Sequence, residues 1–283
     1  MQGSNRNPLC GPSGPHPSLE LATKLARPLG AAWVLGLYPD AAEATATFRY
    51  TVRRNRSCWQ PGPAPWEPEW ELENPIEEQE AAARRSIAEA ARRARSKLRR
   101  YAVANRLDRL GTLTFASDGC HDERELRRHV RHFVKRLRPA LGDGRFPYVW
   151  VPEWHKTHGL HAHLLVGRFI KHQLLEDVWG HGFVHIKRIG PRRGSGLAAS
   201  RTSARYLSKY LDKTFDHPRT PGLHRYELGQ GFMPRVERIE GTSRASVLEE
   251  ASRRMGGRPS YLWDSFGLEG WTGPPALMAV WDA

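Results

Sequence analysis

Two histidines one residue apart, His161 and His163, and two tyrosines one helical turn apart, Tyr206 and Tyr210, are the side chains whose spacing suggests chemistry. In LHAHLLV, residues 160 to 166, the two-residue period of a strand puts His161, His163 and Leu165 on one face. Leu160, Ala162, Leu164 and Val166 take the other, so one face is core and one presents imidazoles. Such a pair can ligate one divalent metal, and Glu153, at the end of the preceding strand, can add a carboxylate across the hairpin. Two nitrogens and one oxygen leave positions open for water and a phosphate oxygen. His155 and His158 lie close enough to be substitute ligands or plain surface residues. In a chain with 13 His, the triplet also arises by chance.

The second group is ARYLSKYLDK, residues 204 to 213. At 100° per residue Tyr206, Lys209, Tyr210 and Lys213 share a narrow face, opposite an apolar stripe of Ala204, Leu207 and Leu211. A tyrosine pair at this spacing commonly packs. Two lysines on the same face suit a phenol that attacks a phosphate better than they suit a buried stack.

These groups need a scaffold, and residues 104 to 214 supply one. Strands are expected at 110–116, 146–153, 160–166 and 182–189, and helices at 122–138, about 171–179 and about 198–213. The order β-α-β-β-α-β-α is the ferredoxin-like, RRM-like arrangement: an α+β fold with a mainly antiparallel sheet backed by helices on one face, plus one further helix. Ahead of this core, residues 1–74 read as an arm with a β-like stretch at 44–52 and a Pro-rich linker at 60–70. Residues 75–103 read as a helix with Asn74 as N-cap, Pro75 first, Glu77 and Glu78 in the first turn and a basic end, either a phosphate-facing arm or a scaffold. Residues 215–283 form an accessory region with a helix at 243–255 and an aromatic ending. The extensions are therefore expected to be helical.

Charge narrows the class. The net charge is +14, and residues 91 to 213 carry 27 Lys or Arg against 10 Asp or Glu, so a polyanion partner is expected in the middle of the chain. Arg124, Arg127, Arg128 and Arg131 on the second helix, and Arg192 and Arg193 in a Gly/Arg loop, are candidates to hold a nucleic-acid backbone, as are Thr112 and Thr114 on a DNA-facing strand edge; solvated arginine and an ordinary β-branched strand explain the same residues. Three distant cysteines support neither a disulfide framework nor a zinc site, and a cytoplasmic protein is expected. The start lacks the features of a secretory leader, and no apolar run approaches the ~20 residues of a membrane span. No P-loop of the form GxxxxGK[ST] occurs, so no fused helicase is indicated.

Leu110 to Ala116 (LGTLTFA), Glu153 with HGLHAH at 158–163, and YLSKYLDK at 206–213 resemble, in this order, the three motifs of HUH endonucleases. The likeness is greatest to rolling-circle replication initiators of small bacterial plasmids and single-stranded DNA phages, of the two-tyrosine type, and covers about residues 104 to 214. Ala162 departs from the bulky apolar residue usual between the histidines, which bears on packing behind that strand.

The resemblance implies that His161, His163 and Glu153 hold Mg²⁺ or Mn²⁺, which polarises a scissile phosphate. Lys209 and Lys213 would favour the phenolate of a residue whose ordinary pKa is about 10. Attack by Tyr206 or Tyr210 would leave a 5′-phosphotyrosine and a 3′-hydroxyl primer, with the second tyrosine serving a second cleavage; Tyr210 can instead be a support. The implied partners are single-stranded or hairpin origin DNA, a host helicase and a DNA polymerase, with no membrane. All of this requires two imidazoles from a sheet edge to face the phenols across a phosphate-sized gap. Three alternatives use the same residues differently: a relaxase or transposase with identical chemistry, a non-catalytic nucleic-acid-binding module, and a metal hydrolase that uses water in place of tyrosine.

Overall fold

The computed structural model describes residues 32–49, 75–142, 144–155, 159–190, 196–269, 271 and 273–282. The expected arm at 1–30, the 60–70 linker, Asn74, His158, Arg192 and Arg193 lie outside the described residues. Two strands, β1 (Ala32–Tyr38) and β2 (Glu43–Arg49), precede the long helix α1 (Pro75–Ala104). The core then runs β3 (Arg109–Phe115), α2 (Glu123–Ala140), β4 (Tyr148–His155), β5 (Gly159–Val166), α3 (His172–Trp179), β6 (Gly182–Arg188) and α4 (Gly196–Lys213). The remainder is β7 (Glu227–Leu228), β8 (Glu237–Gly241), α5 (Arg244–Met255), β9 (Tyr261–Asp264) and β10 (Ala276–Val280).

The core sheet has strand order β6-β3-β5-β4-β7, every pair antiparallel. Numbering its four long strands along the chain gives 4-1-3-2, the ferredoxin-like order expected from the sequence. Alternation divides β5 as the two-residue period requires: Leu160, Ala162, Leu164 and Val166 join the core under α2 and α3, with Phe133, Trp150 and Trp179. Leu165 joins the opposite core with Val149 and Val151, under α1 and α4. Helices therefore cover both faces. The C-terminal half of α1 is scaffold, with Leu98, Tyr101 and Ala102 fully buried.

β5 begins at a residue that must be glycine. Gly159 has φ +68°, and a Cβ there would lie 2.2 Å from the Cys120 carbonyl oxygen. That carbonyl accepts the Leu160 N–H at 2.6 Å and anchors the start of the strand.

The extensions do contain two helices, α1 and α5, but they also build a second sheet, β8-β1-β2-β10-β9, which the sequence does not announce beyond the β-like stretch now seen as β2. Its strands come from both ends of the described chain, all antiparallel. α1 ties it to the core: Arg99 and Arg100 both bond the buried Glu43 carboxylate at 2.8 Å. Among the described residues no helix is long and apolar enough to cross a membrane.

Candidate active site

β5 is the central strand of the core sheet, with β3 and β4 on either side, so its histidines do not lie at a sheet edge as the sequence reading had them. Centrality gives them rigidity and burial: His161 is 8% and His163 4% exposed. The β4–β5 register sets Glu153 directly opposite His161 and Val151 opposite His163, so the carboxylate lies diagonally across from His163 on the same face. Glu153 Oε2 and His163 Nε2 are 2.5 Å apart. His155 stacks on His161, ring centroids 4.8 Å apart and planes 6° from parallel.

The Glu153 carboxylate is held down to a pKa of about 2: burial raises it, and hydrogen bonds from His163 and Lys213 outweigh that cost. An ionised carboxylate only accepts, so His163 Nε2 carries the proton. In the neutral ring Nδ1 then accepts from the Thr112 hydroxyl, 3.1 Å away. Thr112 therefore orients an imidazole. β3 lies between β6 and β5, so the expected DNA-facing edge at Thr112 and Thr114 does not exist.

α4 lies across this face. Ala204, Leu207 and Leu211 are fully buried against the sheet, as their stripe requires. Tyr210 lies beside that stripe, its ring stacked on His163 at 3.6 Å and 12° from parallel. Tyr206, about 6 Å earlier along the axis, is 41% exposed. Lys209 Nζ is 5.1 Å from the Tyr206 ring centroid and Lys213 Nζ 5.5 Å from that of Tyr210. Lys213 also bonds Glu153 Oε1. The imidazole and a phenol are thus brought together, in ring contact and without a gap between them.

The expected effect of the lysines is reversed at Tyr210. Burial raises its pKa first and the Glu153 charge raises it further, and together they outweigh Lys213. The phenol is therefore held protonated in this arrangement.

Divalent cations accept imidazole and carboxylate ligands, and His161, His163 and Glu153 offer that donor set from one face. The set fits a metal in kind. In this structure it is drawn together as hydrogen bonds and ion pairs, and no group of three His, Cys, Asp or Glu is disposed to hold a metal among the described residues.

Arg127 is not a backbone contact. It is 5% exposed, bonds Glu227 Oε1 at 2.7 Å and the His224 carbonyl, and lies over the Trp150 ring at 5.2 Å. The signal was in the sequence: position 127 falls three residues before Val130 and seven before Val134, within the buried stripe of α2. Arg124, Arg128 and Arg131 remain exposed, but on the helix that packs against the opposite face of the sheet from the histidines. Sequence reasoning missed the segment after α4. It walls a cleft of about 220 Å³ beside Glu153 and Lys213 with His217, Arg219 and Arg225; the density of basic residues in HPRT and LHRY, 217–226, was its only sign.

Residues 108–215 match a family of replication-associated proteins, the one described by its ORF2 members. The match spans the four core strands, the candidate ligands and both tyrosines, so the chain is similar to that family over less than half of its length. Comparison with curated proteins and with solved structures gives no match.

Proposed function

We propose that this protein is a DNA nicking and joining enzyme of the HUH type, using tyrosine to begin and end rolling-circle replication. The observation that carries this is the convergence of His163, Glu153, Tyr210 and Lys213, from three separate segments, into one contiguous cluster. The match to replication-associated proteins supports a role in replication initiation and DNA as the partner.

In this reading His161, His163 and Glu153 would hold Mg²⁺ or Mn²⁺, which supplies positive charge against the phosphoryl oxygens. Thr112 keeps the His163 ring in one tautomer and orientation. A phenol oxygen of Tyr206 or Tyr210 bonds to phosphorus and the bond to the 3′-oxygen breaks. That oxygen takes up a proton, and the 5′-phosphate stays on tyrosine. The 3′-hydroxyl primes a host polymerase, while a host helicase opens the duplex. Reversal, a 3′-hydroxyl attacking the phosphotyrosine, rejoins the strand without ATP because the phosphodiester is conserved. Tyr206 is exposed and meets a strand without displacing a ring, whereas Tyr210 must leave His163 to do so. Two such phenols suit two successive cleavages.

The test is incubation with labelled single-stranded oligonucleotides from the origin region and Mn²⁺, followed by a denaturing gel. A covalent protein–DNA species is expected, lost with chelator and lost when Tyr206→Phe and Tyr210→Phe are combined, while each single variant retains part of it. Its survival in the double variant sinks the assignment. Nicking without an adduct supports a water-using hydrolase, and binding without cleavage supports a non-catalytic module.

A further inference from the structure

The molecule has two large basic grooves, and they differ in how their charge is balanced. One, of about 1080 Å³, lies between α1 and the second sheet. Its arginines are largely neutralised: Arg92 and Arg93 pair with Glu89, Arg95 with Asp212, Arg99 and Arg100 with Glu43, and Arg201 with Asp282. The other, of about 870 Å³, runs along the β7 edge of the core sheet between α1 and α2 and under the segment that follows α4. Seven Lys or Arg line it against one carboxylate, Glu227, which Arg127 already engages. Among the described residues Arg131, Lys135, Arg145, Arg219 and Arg225 form no ion pair. Arg225, packed over the Phe215 ring at 4.5 Å, has its pKa lowered by burial and then by the neighbouring Arg219 charge. Positive charge crowded in this way, without carboxylates, is relieved by an anion.

Continuity with the candidate site gives the groove its role. Arg219, His224 and Arg225 line both this groove and the smaller cleft that ends at Glu153 and Lys213. Phe215 and Tyr226, half-buried in the same wall, offer ring faces to bases. Basic side chains that track a backbone, interleaved with aromatic rings, are what single-stranded DNA requires.

We propose that the groove along the β7 edge is the track for the single strand flanking the scissile phosphate, leading it from Glu153 and Lys213 past Arg219 and Arg225 to Arg131 and Lys135. This rests on the reading of the site as acting on single-stranded DNA. It makes the segment after α4, outside the recurrent core, part of substrate binding.

The experiment measures binding of a fluorescein-labelled oligothymidylate to the full-length protein by anisotropy, in chelator so that no cleavage occurs, across a series of KCl concentrations. Arg219→Ala with Arg225→Ala should weaken binding about tenfold or more and flatten the log–log salt slope by about 1.4, two phosphates at ~0.7 each. Arg131→Glu with Lys135→Glu, exposed on α2 with no ion pair to lose, should weaken binding likewise with an unchanged melting temperature. Arg219→Lys with Arg225→Lys should restore most of it. Unchanged affinity and slope in both double variants overturns the proposal, as does an equal loss in Arg92→Ala with Arg93→Ala in the other groove. The two readings fail separately. No adduct from the wild type together with weakened binding in the groove variants removes the nickase and leaves the track. An adduct together with normal binding in those variants does the reverse.

Discussion

Each of the two sheets carries a carboxylate held by basic groups from a helix, and the choice of base separates a clamp from a site. Glu43 on β2 is held by Arg99 and Arg100 of α1, two guanidiniums that stay charged and form rigid, directional pairs. Arg100 also reaches Thr45 and Tyr38, so the second sheet is fastened to α1 by several bonds at once. Glu153 on β4 is held by His163 and by Lys213, whose side chain is largely exposed. An imidazole exchanges its proton near neutral pH and a lysine ammonium moves on a flexible stem. The first arrangement suits permanence and the second release.

The largest effect should come from breaking the clamp. Glu43→Ala leaves two guanidiniums without their carboxylate and should cost about 3 kcal/mol, read as a lower urea midpoint, while adduct formation per folded molecule is unchanged. Because the Arg99 and Arg100 pairs outweigh burial and hold the Glu43 pKa below its ordinary value, its contribution is present above the ordinary carboxylate range. It is lost as pH falls through the depressed value. Wild-type stability should therefore drop more steeply into acid than that of Glu43→Ala; parallel acid limbs would refute the clamp.

The opposite pattern is expected at the site. Glu153→Gln should lower adduct formation about a hundredfold while shifting stability by less than about 1 kcal/mol. Loss of stability without loss of the adduct would make Glu153 a second clamp and erase the contrast. The smallest effect is the sharpest: Thr112→Val removes only the hydrogen bond to His163 Nδ1 and should slow the adduct about tenfold, with substrate affinity in chelator unchanged. A valine variant at wild-type rate would show that ring stacking alone orients His163.

Much of the core was legible because its signals are local. The alternation of LHAHLLV placed His161, His163 and Leu165 on one face whatever their surroundings, and the 3.6-residue period set Ala204, Leu207 and Leu211 opposite the tyrosines. Position in the sheet was not local. Nothing in LHAHLLV or LGTLTFA says that β5 is central or that β3 has neighbours on both sides, so an edge was expected at both. The second sheet was hidden for the same reason: β1 pairs with β8 about two hundred residues away, and short strands such as ALMAV show their partner only once folded.

The amino-acid sequence by itself determined which side chains share a face, because backbone periodicity is a property of a few consecutive residues. It determined likewise the strand order along the chain and the basic middle. Only the tertiary structure decided that Tyr210 lies on His163, that Lys213 is bonded to Glu153, that Arg127 is buried on Glu227, and that the two ends of the chain share a sheet. Those outcomes depend on how elements distant along the chain pack together and exclude water, and no window of neighbouring residues carries that information.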